Sequence, residues 1–148
     1  MNTTKLNILL ADDDEDDCEF FSDALNEISP LSSLTILNDG VQLMNFLAVE
    51  SESYPDVIFL DLNMPKKSGM ECITEIKAID KLKNIPIVVS STSLDSDVVN
   101  TLYELGTHFY IKKPGAFNVL KKVINEALVL ISVSNLQQPS SDKFVIQP

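Results

Sequence analysis

Asp12, Asp13, Asp61, Ser91 and Lys113 are the residues whose types and placement could do chemistry. Each stands at the end of a short apolar run. LNILLA leads to Asp12 and Asp13, VIFL to Asp61, IVVS to Ser91, and FYIK to Lys113. Brought together, they offer carboxylates, a hydroxyl and an ammonium. Clustered carboxylates repel one another unless a cation sits among them. Hard oxygen donors without His or Cys point to Mg2+, which keeps several waters and favours phosphate oxygens. A carboxylate beside such an ion can act as a nucleophile toward a phosphoryl group. The metal, the ammonium and the hydroxyl then stabilise charge on the transferred oxygens. No nucleophile–His–acid triad competes, because the single histidine, His108, reads as a strand-edge residue rather than a base.

The elements that must position these residues follow from the pattern. The central stretch is DVIFLDLNMP, residues 56–65. Its apolar run is short and rich in β-branched residues, as suits a strand buried on both faces. Pro65 and Gly69 then stop the strand and turn the chain. Taken alone, Asp61 is a strand-terminating turn cap. Other strands are expected at residues 6–11, 34–37, 87–90 and 108–112. Helices are expected at 15–28, after Asp39-Gly40, and at 68–80, 94–105 and 116–131. Five strands alternating with five helices call for an α/β fold, a doubly wound parallel sheet with helices on both faces. In such a sheet the turns after the strands share one edge, where open α/β sheets keep their ligands. All the chemically useful residues lie in those turns.

Composition narrows the function classes. The chain has 148 residues, enough for one domain with a tail, and its hydrophobic fraction of 45% suffices for a core. Acidic residues number 22 and basic ones 11, for a net charge of −11. Such a surface disfavours nucleic acid and anionic membranes, and suits cations and basic partner patches. No apolar run approaches the length of a spanning helix, and MNTTKLNILLADDD is no signal peptide. Cys18 and Cys72 lack metal or redox spacing and read as small packed helix residues, so a reduced, cytoplasmic setting is expected.

In order along the chain, Asp12-Asp13, Asp61 with DLNMP and Gly69, Ser91, and Lys113-Pro114 resemble the response-regulator receiver domain. The resemblance covers about residues 5–131. It implies a flavodoxin-like five-stranded sheet of order 2-1-3-4-5. It implies that Asp61 accepts a phosphoryl group from a histidine kinase or a histidine phosphotransfer protein. Mg2+ would be held by Asp12, Asp13, Asp61 and the backbone carbonyl of Asn63, with Asp13 a direct ligand. Ser91 takes the position of the switch hydroxyl, and Lys113 that of the family's Lys, commonly followed by a cis-Pro. Tyr110 takes the position of the switch aromatic. Strand alternation places Tyr110 and Lys112 on one side and Phe109 and Ile111 on the other.

Three features depart from the family pattern. Asp14 adds a third consecutive acid and reads as a helix-start charge rather than a ligand. Thr92 stands where the family often has a smaller residue, and could slow access of water or small phosphodonors. After Ile131 the composition turns polar, and neither a DNA-binding helix pair nor a catalytic output domain is read there. Residues 132–148 are expected to form a flexible tail whose removal changes stability by no more than roughly 1 kcal/mol. The alternatives to a phosphoacceptor are a non-phosphorylated receiver-like binding module and an aspartyl-phosphate phosphatase of the haloacid-dehalogenase type. That type carries Asp-x-Asp at its nucleophile, where this chain has Asp61-Leu62-Asn63. Output is expected through a partner or a second copy on the face of the 94–105 helix, strand five and the 116–131 helix, with Lys112, Lys121 and Lys122 as a basic patch.

Overall fold

The computed structural model describes residues 5–49, 54–134 and 137–147. Elements alternate as the sequence pattern requires: β1 (Asn7–Ala11), α1 (Glu15–Ile28), β2 (Ser33–Leu37), α2 (Gly40–Ala48), β3 (Val57–Asp61), α3 (Gly69–Lys77), β4 (Ile87–Ser91), α4 (Ser96–Glu104), β5 (Phe109–Lys112) and α5 (Phe117–Val133). The strands form one sheet in the order β2-β1-β3-β4-β5, with every pairing parallel. This is the flavodoxin-like doubly wound architecture.

Strand period two divides the core into two layers. Leu9, Ile58, Leu60, Ile87 and Val89 face Leu43, Ile73, Ile76 and Leu102 of α2, α3 and α4. Ile8, Leu10, Val57, Phe59 and Val88 face Phe21, Leu25, Ile124 and Leu128 of α1 and α5. Every residue of β3 is buried, whereas β2, at the sheet edge, is half exposed.

Local capping chemistry sets the helix starts. Asp14 accepts from the Asp17 N–H and caps α1, and Asp39 accepts from the Gln42 N–H and caps α2. Ser68 and Glu71 form a reciprocal capping box on α3. Asp95 accepts from the Asp97 and Val98 N–H groups, so α4 begins at Ser96, later than the apolar pattern alone predicts. Gly69 matters for the site. A Cβ there would sit 2.6 Å from the Asp61 carbonyl oxygen, so only Gly lets α3 start this close beneath the end of β3.

The expectation of a flexible tail after a 5–131 domain is overturned for most of that stretch; residues 135, 136 and 148 lie outside the described residues. Helix α5 runs to Val133, and residues 141–143 form a 3-10 turn. Val145 then pairs with Tyr110 as a parallel bridge on the outer edge of β5. Phe144 is 1% exposed and belongs to the α4-side layer, while Ile146 is 5% exposed and belongs to the α5-side layer. The polar average of the stretch hides three consecutive apolar residues, and the edge of β5 offers them open backbone donors and acceptors.

Candidate functional site

The carboxyl ends of β1, β3, β4 and β5 converge as the turn positions require. Asp12 follows β1, Asp61 ends β3, Ser91 ends β4 and Lys113 follows β5. Register does the alignment: Asp61 pairs with Ser90, Ser91 with Lys112, and the Lys113 N–H donates to the Ser91 carbonyl at 2.8 Å. The Lys113 ammonium crosses the edge. It lies 3.0 Å from Asp12 Oδ2, 3.4 Å from Asp61 Oδ2 and 2.8 Å from Asp17 Oδ2. Asp12 and Asp61 are buried, and Asp13 is exposed. Each of these three places a carboxylate oxygen within 4.8 Å of the others. The Asn63 N–H donates to Asp61 Oδ1 at 3.3 Å, and Asn63 itself is exposed at the rim. Ser91 is buried, and its Oγ accepts from the Ser93 N–H at 3.3 Å.

The electrostatics are those of an under-compensated anionic cluster. Burial pushes the Asp61 carboxyl up from 3.8 to about 6; Lys113 opposes the rise, and the Asp12 charge adds to it. Burial would lower the Lys113 ammonium, but hydrogen bonds to Asp17 and Asp12, with the charges of Asp12 and Asp61, outweigh it and raise it. One ammonium thus faces several carboxylates. The donors at the cluster are hard oxygens, and the excess negative charge fits a small divalent cation held by Asp12, Asp13 and Asp61.

The raised Asp61 pKa has a consequence for stability. The folded chain holds this proton more tightly than the unfolded chain, whose carboxyl titrates near 3.8. Metal-free protein therefore loses stability as pH rises from about 4 through about 6, by on the order of 3 kcal/mol for a shift of this size. Urea unfolding in chelator at about pH 4 and about pH 7 reads most of it. Asp61→Asn is expected to remove this component of the difference, and an identical difference in the variant would refute the assignment.

The profile of the response regulator receiver domain family matches residues 8–125. The chain belongs to that family. It is 38% identical over 121 residues to the response regulator Rcp1 of Synechocystis sp., a match covering 79% of this chain and 82% of that protein. It is 30% identical to the probable methanogenesis regulatory protein FilR2 of Methanothrix harundinacea, over 80% and 79% of the two chains. Among solved structures, the phosphorylated cyanobacterial phytochrome response regulator RcpA superposes with TM-score 0.79 at 33% identity, over 88% of this chain and 96% of that one. The Mn2+-bound form of Rcp1 gives 0.74 at 34% identity, over 91% and 99%.

Around this receiver site the structure adds partners that strand-end reasoning missed. Asp17 is the principal one. It lies in the first turn of α1 and gives Lys113 its shortest contact. Asp14, in contrast, is committed to capping α1. Mg2+ affinity is therefore expected to fall at least about tenfold in Asp13→Ala and to stay within about twofold in Asp14→Ala, which should lose only about 1 kcal/mol of stability. Titration of Mg2+ into both variants checks this; equal losses would mean that Asp14 is a ligand.

Other placements differ from expectation. Lys121 does not face β5: its ammonium reaches Glu27 of α1 at 3.1 Å and lies over the Phe117 ring. Lys122 lines the same groove between α1 and α5. The expected basic patch on the α4–β5–α5 face is thus reduced to Lys112, because helix α5 turns its next two lysines toward α1. No cis peptide bond occurs among the described residues, so Lys113-Pro114 is trans, the ordinary preference of an X–Pro bond. His108 lies at the opposite end of β5 from Lys113. Cys18 and Cys72 are buried, and burial first, with nearby carboxylates, pushes both thiols up to about 11. Thr92 is exposed. Among the described residues, no helix is long and apolar enough to cross a membrane.

Proposed function

We propose that this receiver accepts a phosphoryl group on Asp61, in the presence of Mg2+, from a histidine kinase or a histidine phosphotransfer protein, and that the loaded state is read by a protein partner. The observation that carries the reading is the burial of Asp61, 5% exposed, between the Lys113 ammonium and the Asp12 and Asp13 carboxylates. An Asp61 oxygen attacks the phosphorus of a phosphohistidine. The new P–O bond forms as the P–N bond breaks, and the bonding electrons return to the imidazole. Asp12, Asp13, Asp61 and the Asn63 backbone carbonyl would hold Mg2+, which would supply neutralising charge to the phosphoryl oxygens. Lys113 adds a second cation that is already in place. Ser91 supplies a hydroxyl to a phosphoryl oxygen. Acetyl phosphate with Mg2+ is expected to give a single acid-labile label on Asp61 by mass spectrometry, with slow autophosphorylation and hydrolysis as the only catalysis.

The Asn63 amide cannot act as the general acid of an Asp-x-Asp phosphatase. The complete set of Asp61, Ser91 and Lys113 gives no support to a binding module without phosphorylation.

Output passes through Ser91 and Tyr110. Tyr110 is 1% exposed, packs in the α4-side layer, and donates its hydroxyl proton to the Ser93 carbonyl. Ser93 in turn touches Ser91. Movement of Ser91 toward a phosphoryl group is thereby felt at Tyr110, and the face of α4, β5 and α5 changes by population shift. Tyr110→Ala should leave Asp61 labelling within about twofold while altering association that depends on loading. Light scattering with and without beryllofluoride as phosphoryl mimic measures it. A variant that responds as the wild type does would exclude Tyr110 from the output.

A further inference from the structure

The segment 137–147 meets the sheet at the residue on which the output reading turns. The Tyr110 N–H donates to the Phe144 carbonyl at 3.0 Å, and the Ile146 N–H donates to the Tyr110 carbonyl at 2.9 Å. The Phe144 ring packs edge-on against Tyr103 of α4, with centroids 5.3 Å apart, and lies 6.5 Å from the Tyr110 ring. Upstream, the Gln138 side-chain amide donates to the Tyr103 and Thr107 carbonyls at 2.6 and 2.8 Å, and the Tyr103 hydroxyl donates to the Pro139 carbonyl at 2.6 Å. The carboxyl end of α4 and the turn after it are thus tied to the segment by three hydrogen bonds.

These contacts join the segment to the site without a break. Phe144 touches Tyr110, Tyr110 touches Ser93, and Ser93 touches Ser91. A close-packed layer does not yield continuously. A Tyr110 ring leaving the core at this edge meets Phe144, which is itself held by Tyr103. Docking of the segment and an inward Tyr110 therefore belong to one state.

We propose that residues 143–147 are a built-in strand ligand of the β5 edge, and that their docking and the loading of Asp61 favour each other. Main-chain hydrogen bonds supply the hold, and Phe144 and Ile146, one in each core layer, supply the fit, as in strand addition to a sheet edge. The inference rests on the switch role proposed for Tyr110. Because coupling between two sites is reciprocal, it must be readable from either end.

Amide hydrogen exchange at Tyr110 and Ile146 reads docking directly, since these are its two backbone donors. In the full wild-type chain, saturating beryllofluoride with Mg2+ is expected to slow both exchanges at least about fivefold, the lower end of ordinary coupling. Phe144→Ala is expected to weaken beryllofluoride binding by the same factor. Beryllofluoride that binds the wild type yet leaves both exchanges unchanged overturns this inference and leaves the phosphoacceptor reading standing. Beryllofluoride that fails to bind overturns both. The exchange measurement needs no variant, so a poorly folded Phe144→Ala protein does not blunt the test.

Discussion

Asp61→Asn is expected to abolish phosphoryl labelling, with a fall of at least about a thousandfold under acetyl phosphate and Mg2+. The amide keeps the shape of the carboxylate but has no anionic oxygen to attack phosphorus. The fold should survive the change. The carboxyl it replaces is buried and is pushed up to about 6, so a neutral group at this point relieves an electrostatic penalty. Loss of label therefore reports lost chemistry and not lost structure, and circular dichroism of the same sample verifies it. Lys113 has other acids to pair with in the variant, since Asp12 and Asp17 remain at 3.0 and 2.8 Å. Full labelling of Asp61→Asn at another residue would remove the phosphoacceptor assignment.

Phe144→Ala should carry the largest stability cost of any single change in the stretch after α5. Phe144 is 1% exposed and packs against both Tyr103 and Tyr110. Truncating a buried Phe to Ala usually costs about 3–5 kcal/mol, through lost transfer energy and the cavity left behind. A loss of that size in unfolding free energy is expected, read as a lower urea midpoint with the slope little changed. Val145 is only half-buried and contributes mainly backbone, so Val145→Ala is expected to cost less than about 1 kcal/mol and serves as the control. A Phe144→Ala cost as small as that of the control would restore the dispensable tail that composition alone predicts.

Fold class and the place where the chemistry gathers follow from local pattern. Apolar runs alternating with helical patterns leave a parallel sheet as the arrangement that buries both faces, and a parallel sheet sends the carboxyl ends of its strands to one edge. Asp12, Asp61, Ser91 and Lys113 each follow or end a strand, so their convergence could be read before any distance was known. Periodicity also put Tyr110 on the opposite layer from Phe109 and Ile111. Tertiary structure alone decided which partner each charge takes. Asp17 reaches Lys113 across 96 residues of chain, and Lys121 reaches Glu27 across 94. Neither choice leaves a local mark, because the partner of a long side chain is set by which elements pack beside its own. The docking of Phe144 and Ile146 is of the same kind. A polar composition predicts disorder on average, but a few apolar residues order when a sheet edge has unpaired backbone groups and an open side-chain site on each layer, and only the assembled sheet supplies those.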